Sequence, residues 1–119
     1  MDTTVEKGRL AESLAFEFLK SKGCTVLCRN YYTRYGEVDI VFDDFGQLVF
    51  CEVKSKYSDD FGLPEDEFDA TKHKRFNRAV LEYLEKNEIN HDNYRIDLIA
   101  MELEHSTKTC RVRHHKAFY

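Results

Sequence analysis

Two runs of alternating residues, separated by a turn sequence, most constrain how this chain can fold. The runs are residues 37–42 and 48–55, and Asp44-Phe45-Gly46-Gln47 lies between them. Glycine suits a tight hairpin turn, because it adopts the backbone conformation that such turns require. A two-residue turn that pairs Asp44 with Gln47 and a longer loop that pairs Asp43 with Leu48 give the same alignment. The sequence therefore predicts an antiparallel hairpin in one register.

In this register, three pairs of side chains face each other across the two strands: Val41 and Phe50, Asp39 and Glu52, Glu37 and Lys54. Side chains alternate between the two faces of a strand, so these six residues share one face of the hairpin. The other face is predicted to carry the apolar residues Val38, Ile40, Val49, Cys51 and Val53. The polar groups cluster at the strand ends away from the turn.

The opposed carboxylates of Asp39 and Glu52 point to a metal site. Directly opposed side chains have Cβ atoms about 5 Å apart, so two ionised carboxylates repel by roughly 3 kcal/mol at an effective dielectric constant of ~20. A hard divalent cation such as Mg²⁺ offsets this repulsion and keeps waters for chemistry. Lys54 on the same face could orient a water and stabilise charge on a phosphate. The alternative is a solvated sheet face with a Glu37–Lys54 ion pair.

The remaining elements follow from periodicity. Thr3 and Glu6 have the spacing of a capping box, and Gly23 ends the helical pattern that follows. Strands are predicted at 25–32, 94–102 and 109–114, a loop at 57–70, and a second helix capped by Thr71. The buried stripes of the two helices are predicted as Ala11, Leu14, Ala15, Phe18 and Leu19, and as Phe76, Ala79, Val80, Tyr83 and Leu84.

These predictions give a single α/β domain over residues 1–119. The order is α-β-β-β-α-β-β, and an antiparallel hairpin beside helical crossovers indicates a mixed five-stranded sheet flanked by helices. Arg95 and Asp97 share a strand face and are expected to form an ion pair.

Charge and composition restrict the function classes. The net charge is −4 at pH 7, which argues against a protein that coats nucleic acid by charge alone, so any such contact is local. Basic residues are concentrated at 72–78 and 111–116, and acidic residues at 59–69. The four cysteines lack zinc-module spacing and are interpreted as reduced, packed thiols. With no apolar signal segment and no long apolar run, the chain is expected in the cytoplasm, without a membrane partner.

A resemblance to a known family rests on motifs spread over nearly the whole chain. The chain resembles the YraN-like family of small bacterial proteins, which in turn resembles the PD-(D/E)xK restriction-endonuclease-like and Holliday-junction-resolvase-like nucleases. The motifs that carry the resemblance are Gly8-x-x-Ala11-Glu12, Arg29-Asn30, Gly36-Glu37-Val38-Asp39, Val49-Phe50-Cys51-Glu52-Val53-Lys54, Lys72, Tyr83-Leu84, Arg95-Ile96-Asp97 and Ala117-Phe118.

The resemblance implies a restriction-endonuclease-like fold and a catalytic site that binds Mg²⁺ or Mn²⁺. Asp39 matches the metal-binding aspartate of the motif, Glu52 its second acid, and Lys54 its lysine. Glu12 matches an additional acid of the resolvase-like members, and the Val53 carbonyl is implied as a further ligand. Glu37 shares the acidic face and is a possible site residue.

Candidate nucleic-acid contacts are Lys56, Lys72, Arg75, Arg78 and Arg113. Lys72 could touch a phosphate or be merely solvated. Position 56 is lysine where the family typically has arginine, and Lys116 stands where asparagine is expected. Lysine would give a point-charge contact in place of a bidentate one.

The leading hypothesis is a divalent-metal-dependent endonuclease that acts on DNA, including branched or distorted DNA. One alternative is a nucleic-acid-binding module without turnover, which would use the basic side of the second helix together with Arg111 and Arg113. Another is a protein-interaction adaptor on a nuclease-like scaffold. A homodimer is a further possibility, as in resolvases.

Overall fold

The computed structural model describes residues 4–67, 69–105 and 109–119. Helix α1 covers Thr4–Ser21 and helix α2 covers Ala70–Lys86. The strands are β1 Thr25–Tyr32, β2 Glu37–Asp44, β3 Gln47–Tyr57, β4 Tyr94–Leu103 and β5 Cys110–His115. The order α-β-β-β-α-β-β is therefore confirmed. The predicted cap at Thr3 lies outside the described residues.

The five strands form one mixed sheet in the order β1-β2-β3-β4-β5. Neighbouring strands are antiparallel except β3 and β4, which run parallel from Leu48–Tyr94 to Tyr57–Leu103. Parallel strands need a crossover connection, and α2 supplies it between β3 and β4. The mixed sheet expected from the sequence is confirmed.

The predicted hairpin register is confirmed where the ladder is regular. Asp44 pairs with Gln47, and Val41 pairs with Phe50. The turn residues Phe45 and Gly46 both have positive φ, at 52° and 101°, as a two-residue hairpin turn of the primed type requires. The shorter of the two possible turns is therefore the one formed.

The two helices cover opposite faces of the sheet. Helix α1 buries Ala11, Ala15 and Leu19 in a cluster with Ile40, Val49 and Cys51, while Leu14, Phe18 and Val53 pack against its edge. Helix α2 buries Phe76, Ala79, Val80 and Leu84 against Val41 and Phe50, with Tyr83 partly buried. Both predicted helix stripes are confirmed.

The prediction for one residue of the apolar face, Val38, is wrong. Val38 is fully buried, but it packs in the α2 cluster with Val41 and Phe50, not with Ile40 in the α1 cluster. The strict alternation of β2 therefore breaks between Val38 and Val41. The pairing of β2 with β3 ends in the same place, at Ile40 and Cys51.

The cap of α2 also differs from the prediction. Asp69 is the N-cap, and its carboxylate accepts hydrogen bonds from the amides of Thr71 (3.0 Å) and Lys72 (3.2 Å). Thr71 lies inside the first turn, where its amide needs a partner, so it is the residue that is capped. The predicted loop also contains a 3₁₀ turn at Pro64–Asp66.

Neither helix of the described residues combines the length and the apolar character needed to cross a membrane. All four cysteines are thiols; Cys24 and Cys51 are buried, and Cys28 and Cys110 are half-buried.

Candidate metal centre and its surroundings

A tight turn at Thr33–Gly36 leads into β2 and fixes the entrance of the site. The Thr33 hydroxyl accepts hydrogen bonds from the amides of Tyr35 and Gly36, both at 3.0 Å, and the Thr33 amide donates to the Gly36 carbonyl at 2.8 Å. A Cβ on Gly36 would lie 2.8 Å from the Arg75 carbonyl oxygen. Only glycine therefore lets this turn pack against the backbone of α2.

Three carboxylates converge directly after this turn. Glu37 and Asp39 come from β2, and Glu12 comes from the middle of α1. Each offers a carboxylate oxygen, and these oxygens all lie within 4.8 Å of one another. All three residues are half-buried. Carboxylate oxygens are the ligands that Mg²⁺ and Mn²⁺ prefer, so the donor set fits a hard divalent cation.

Asp39 is held by the end of the neighbouring strand. Its Oδ2 accepts a hydrogen bond of 2.7 Å from the Val53 amide, at the point where the ladder between β2 and β3 has ended. Burial raises the pKa of Asp39 well above its usual value, and the hydrogen bond with Glu37 raises it further, while the Val53 amide opposes both. A cation among these carboxylates would favour their charged forms.

Glu12 is oriented by an asparagine on the edge strand. Asn30 has a positive φ of 53°, and its amide nitrogen, turned towards α1, donates to Glu12 Oε2 at 2.9 Å. Burial and the charge of Glu37 raise the pKa of Glu12, and this hydrogen bond opposes them. Asparagine tolerates the left-handed conformation better than most residues, which explains its presence in the strand.

Glu52 is present at the site but not within the triad. It is buried, with 6% of its surface exposed. Its Oε1 lies 3.3 Å from Lys54 Nζ, and its Oε2 accepts a 3.3 Å hydrogen bond from the Tyr119 hydroxyl. Lys54 also donates to the Glu67 carbonyl. Lys54 thus pairs with Glu52 rather than Glu37, so the alternative of a cross-strand Glu37–Lys54 pair is not what forms.

A cavity of about 390 Å³ connects the acidic triad to α2. Glu37, Asp39 and Glu52 line it from the sheet, and Lys72 and Arg75 line it from the helix. Two carboxylates of the triad and the second acid of the motif therefore share one space with two cations. Such a space can accept a metal ion together with an anionic group.

The five candidate nucleic-acid contacts fall into two groups. Lys72, Arg75 and Arg78 are exposed on α2 and line this cavity or the one beside it. Lys56 instead pairs with Glu67 at 3.0 Å and donates to the Phe61 carbonyl at 2.8 Å. Arg113 on β5 pairs with Glu65 at 2.5 Å and with Glu102.

Three residues beside the site, Arg34, Tyr35 and Tyr119, were not expected from the sequence. Arg34 and Tyr35 in the turn before β2 line a second cavity, of about 500 Å³, with Arg75 and Arg78. Their position in the sequence, directly before Gly36-Glu37, was the signal that could have indicated their place beside the site. Tyr119 gave no signal, because its contact with Glu52 joins residues 67 positions apart.

Comparison with known proteins agrees on one family. A sequence profile of the uncharacterised protein family UPF0102 matches residues 11–101. A UPF0102 protein of Solibacter usitatus is 42% identical over 103 residues, covering 85% of this chain and 78% of that protein. One from Syntrophus aciditrophicus is 35% identical over 112 residues (94% and 87%), and one from Persephonella marina is 37% identical over 95 residues (80% and 82%). The chain therefore belongs to the UPF0102 family, the YraN-like family that its motifs resemble.

Proposed function

We propose that this protein is a divalent-metal-dependent endonuclease that acts on DNA phosphodiesters, with branched or distorted DNA as its preferred class of substrate. The observation that carries the proposal is the convergence of carboxylate oxygens from Glu12, Glu37 and Asp39 within 4.8 Å of one another, beside cations. The resemblance of the motif that contains Asp39, Glu52 and Lys54 to that of metal-dependent nucleases agrees with it.

The acidic triad would hold the metal. A bound Mg²⁺ or Mn²⁺ would neutralise charge on the phosphate and lower the pKa of a bound water. Asp39 can use its second oxygen for a cation, since Oδ2 is bound to the Val53 amide. That same hydrogen bond brings the Val53 backbone next to the triad, in line with the proposed carbonyl ligand. Glu52 lines the same cavity and would complete the acidic wall.

The cations of the site have separate tasks. Lys72 and Arg75 line the cavity opposite the carboxylates and would orient the phosphate there. Lys54 is held between Glu52 and the Glu67 carbonyl, so its position is fixed. An ammonium group placed in this way would orient the attacking water and stabilise negative charge as it develops.

A cleavage screen tests the proposal. Branched, flapped, single-stranded and duplex DNA would each be incubated with the protein and Mg²⁺ or Mn²⁺. We expect cleavage of at least one branched substrate, and its loss in Asp39→Asn and Lys54→Ala. Asp92→Asn is the matched control, because Asp92 is exposed and lies outside the cavity. Cleavage that survives in Asp39→Asn, or that appears without metal, would contradict the assignment.

A DNA-binding protein without turnover is a second candidate. The exposed cations Lys72, Arg75 and Arg78 on α2 favour it, since phosphate contacts by these side chains need no metal and no catalytic lysine. In this case DNA would be bound with strong salt dependence, and Asp39→Asn would bind as well as the natural protein. No strand would be cut with either metal.

A further inference from the structure

The second cavity is basic and lies directly beside the candidate metal centre. In the described part of the chain its lining consists of Thr33, Arg34, Tyr35, Gly36, Arg75 and Arg78, and it contains no carboxylate. Gly36 and Arg75 line both this basic cavity and the cavity of the acidic triad. The two cavities therefore meet at the turn that precedes Glu37.

The arginines of the basic cavity differ in their ion pairing from Arg95 and Arg113 of the sheet. Among the described residues, Arg34, Arg75 and Arg78 form no ion pair, whereas Arg95 and Arg113 each bind two carboxylates. Glu82 and Glu85 line a third cavity together with Arg34 and Arg78, but neither forms a described ion pair with them, and Glu82 pairs with Lys86 at 3.4 Å. In a chain of net charge −4, three neighbouring arginines that take part in none of the described ion pairs suit an anionic ligand.

Tyr35 holds two of the arginines in place. The guanidinium carbons of Arg34 and Arg78 lie 4.9 Å and 4.5 Å from the centre of its ring. Arg34 also donates a 2.8 Å hydrogen bond to the Tyr35 hydroxyl. Stacking restricts the motion of both side chains, so less entropy is lost when they bind an anion. The contact between Gly36 and the Arg75 backbone fixes the turn and α2 relative to each other.

We propose that the basic cavity binds a second phosphate of the DNA strand whose scissile phosphodiester lies at the acidic triad. The planar guanidinium groups match the geometry of phosphate oxygens. The shared wall of Gly36 and Arg75 makes the two positions neighbours, so one strand can occupy both. This inference rests on the proposed function and adds to it that a single strand is gripped at two phosphates.

Binding of a single-stranded oligonucleotide tests the inference without catalysis. A fluorescent strand of about 16 nucleotides, which covers one binding site of ordinary size, would be titrated in EDTA at several salt concentrations. We expect Arg34→Gln and Arg78→Gln each to weaken binding about tenfold, and the double variant to reduce the salt slope by about 0.7 for the lost phosphate contact.

Lys74→Gln is the matched control, because it removes one charge from the same helix but lines neither cavity. It should bind within about twofold of the natural protein. An unchanged affinity and salt slope in the double variant would overturn the inference. So would an NMR titration in which inorganic phosphate alone binds the arginines as tightly as the strand does, because the cavity would then be a site for small phosphate compounds.

The two proposals fail in different ways. If the arginine variants bind and cut normally while Asp39→Asn does not cut, only the second phosphate position is wrong. If no DNA is cut under any condition but the arginine variants lose affinity, only the catalytic proposal is wrong.

Discussion

Asp97 is a buried carboxylate that binds side chains and backbone from several elements. It is fully buried and accepts hydrogen bonds from Arg95 Nε (2.7 Å) and from the Ala117 amide (2.9 Å), with His114 Nε2 at 2.7 Å from its other oxygen. Arg95 also reaches Asp44 at 2.9 Å. One carboxylate thus joins β2, β4, β5 and the segment after β5.

Replacing Asp97 by asparagine should strongly destabilise the protein. The substitution keeps the shape but removes the negative charge of Asp97, so that Arg95 keeps only Asp44 as an ionic partner and an amide faces His114. Removing one partner of a buried ion pair costs about 3–5 kcal/mol. Urea unfolding measures the loss, with Asp92→Asn as an exposed control expected within about 0.5 kcal/mol of the natural protein. A loss below about 1 kcal/mol would contradict this account.

The same residue predicts acid sensitivity. Burial alone would raise the pKa of Asp97, but the hydrogen bonds from His114, Arg95 and Ala117 outweigh it and hold the pKa at about 2, below the ordinary 3.8. A lowered pKa stabilises the folded state above pH 4, by about 2 kcal/mol, and this is lost as the pH falls towards 2. Asp97→Asn should lack this part of the acid transition. Burial raises the pKa of Cys51 on β3, and the nearby charge of Asp97 raises it further.

At the residue scale, the sequence predicts contacts within a strand better than contacts between distant elements. The Arg95–Asp97 ion pair is confirmed, because residues two apart share a strand face. The roles of His114 and Ala117 were not expected, since they depend on β5 lying beside β4. Glu37 was only a possible site residue on the sequence. It lies within the acidic triad because β2 packs beside Glu12 of α1, a contact between elements that are distant along the chain.

The segment between β3 and α2 is held in place by ion pairs and hydrogen bonds of its acidic side chains. Its acids look unfavourable for a DNA-binding protein, but several are used within the fold. Glu65 binds Arg113 and lies 2.8 Å from His115 Nε2, and Asp66 and Asp69 accept amide hydrogen bonds. The acidic segment is thereby attached to β5 and to the start of α2.

Glu65→Gln should release this segment without unfolding the sheet. Hydrogen bonds from Arg113 hold the pKa of Glu65 at about 2, below its usual 4.5. The attachment is therefore complete above pH 4.5 and is lost as the pH falls towards 2. We expect faster amide exchange over residues 58–67 in Glu65→Gln at pH 7. Asp59→Asn in the same segment, where the carboxylate is 72% exposed, should exchange like the natural protein. Equal exchange in both variants would contradict the role of Glu65.

Element boundaries were predictable where local chemistry decides them. The turn at Phe45-Gly46 fixed the register, and the helix stripes followed from their periodicity. The predictions for the cap of α2 and for the face on which Val38 lies were wrong for a shared reason. In each case a carboxylate, Asp69 or Asp39, binds a backbone amide and so changes the local structure that periodicity alone would give.

At the scale of the whole molecule, the candidate metal centre links elements that are distant along the chain. Glu12 belongs to α1 and Glu37 to β2, and the hydrogen-bonded Val53 belongs to β3. The resemblance to the family predicted Glu12 as a site residue. The spacing within the hairpin could not predict it, because Glu12 lies on α1 outside the hairpin. A cation bound only by the folded arrangement stabilises the entire fold, because the unfolded chain does not hold these ligands together.

Metal binding should therefore raise the melting temperature. At a free concentration of 100 times its dissociation constant, a ligand adds about 2.7 kcal/mol of stability, or roughly 10 °C for a chain of this size. Thermal unfolding with Mn²⁺ should show this shift, and EDTA should reverse it. In Asp39→Asn the shift between the two conditions should largely vanish. An equal shift in that variant would place the bound metal elsewhere.

The early end of the ladder between β2 and β3 has a consequence for the choice of metal. Because one oxygen of Asp39 already accepts the Val53 amide, ligation of an ion through the other oxygen alone is favoured over bidentate ligation. Ca²⁺ favours six to eight oxygen ligands and often takes bidentate carboxylates, whereas Mg²⁺ accepts single oxygens in an octahedron completed by water. If the acidic triad binds a metal as proposed, the Val53 amide would therefore favour Mg²⁺ over the larger ion.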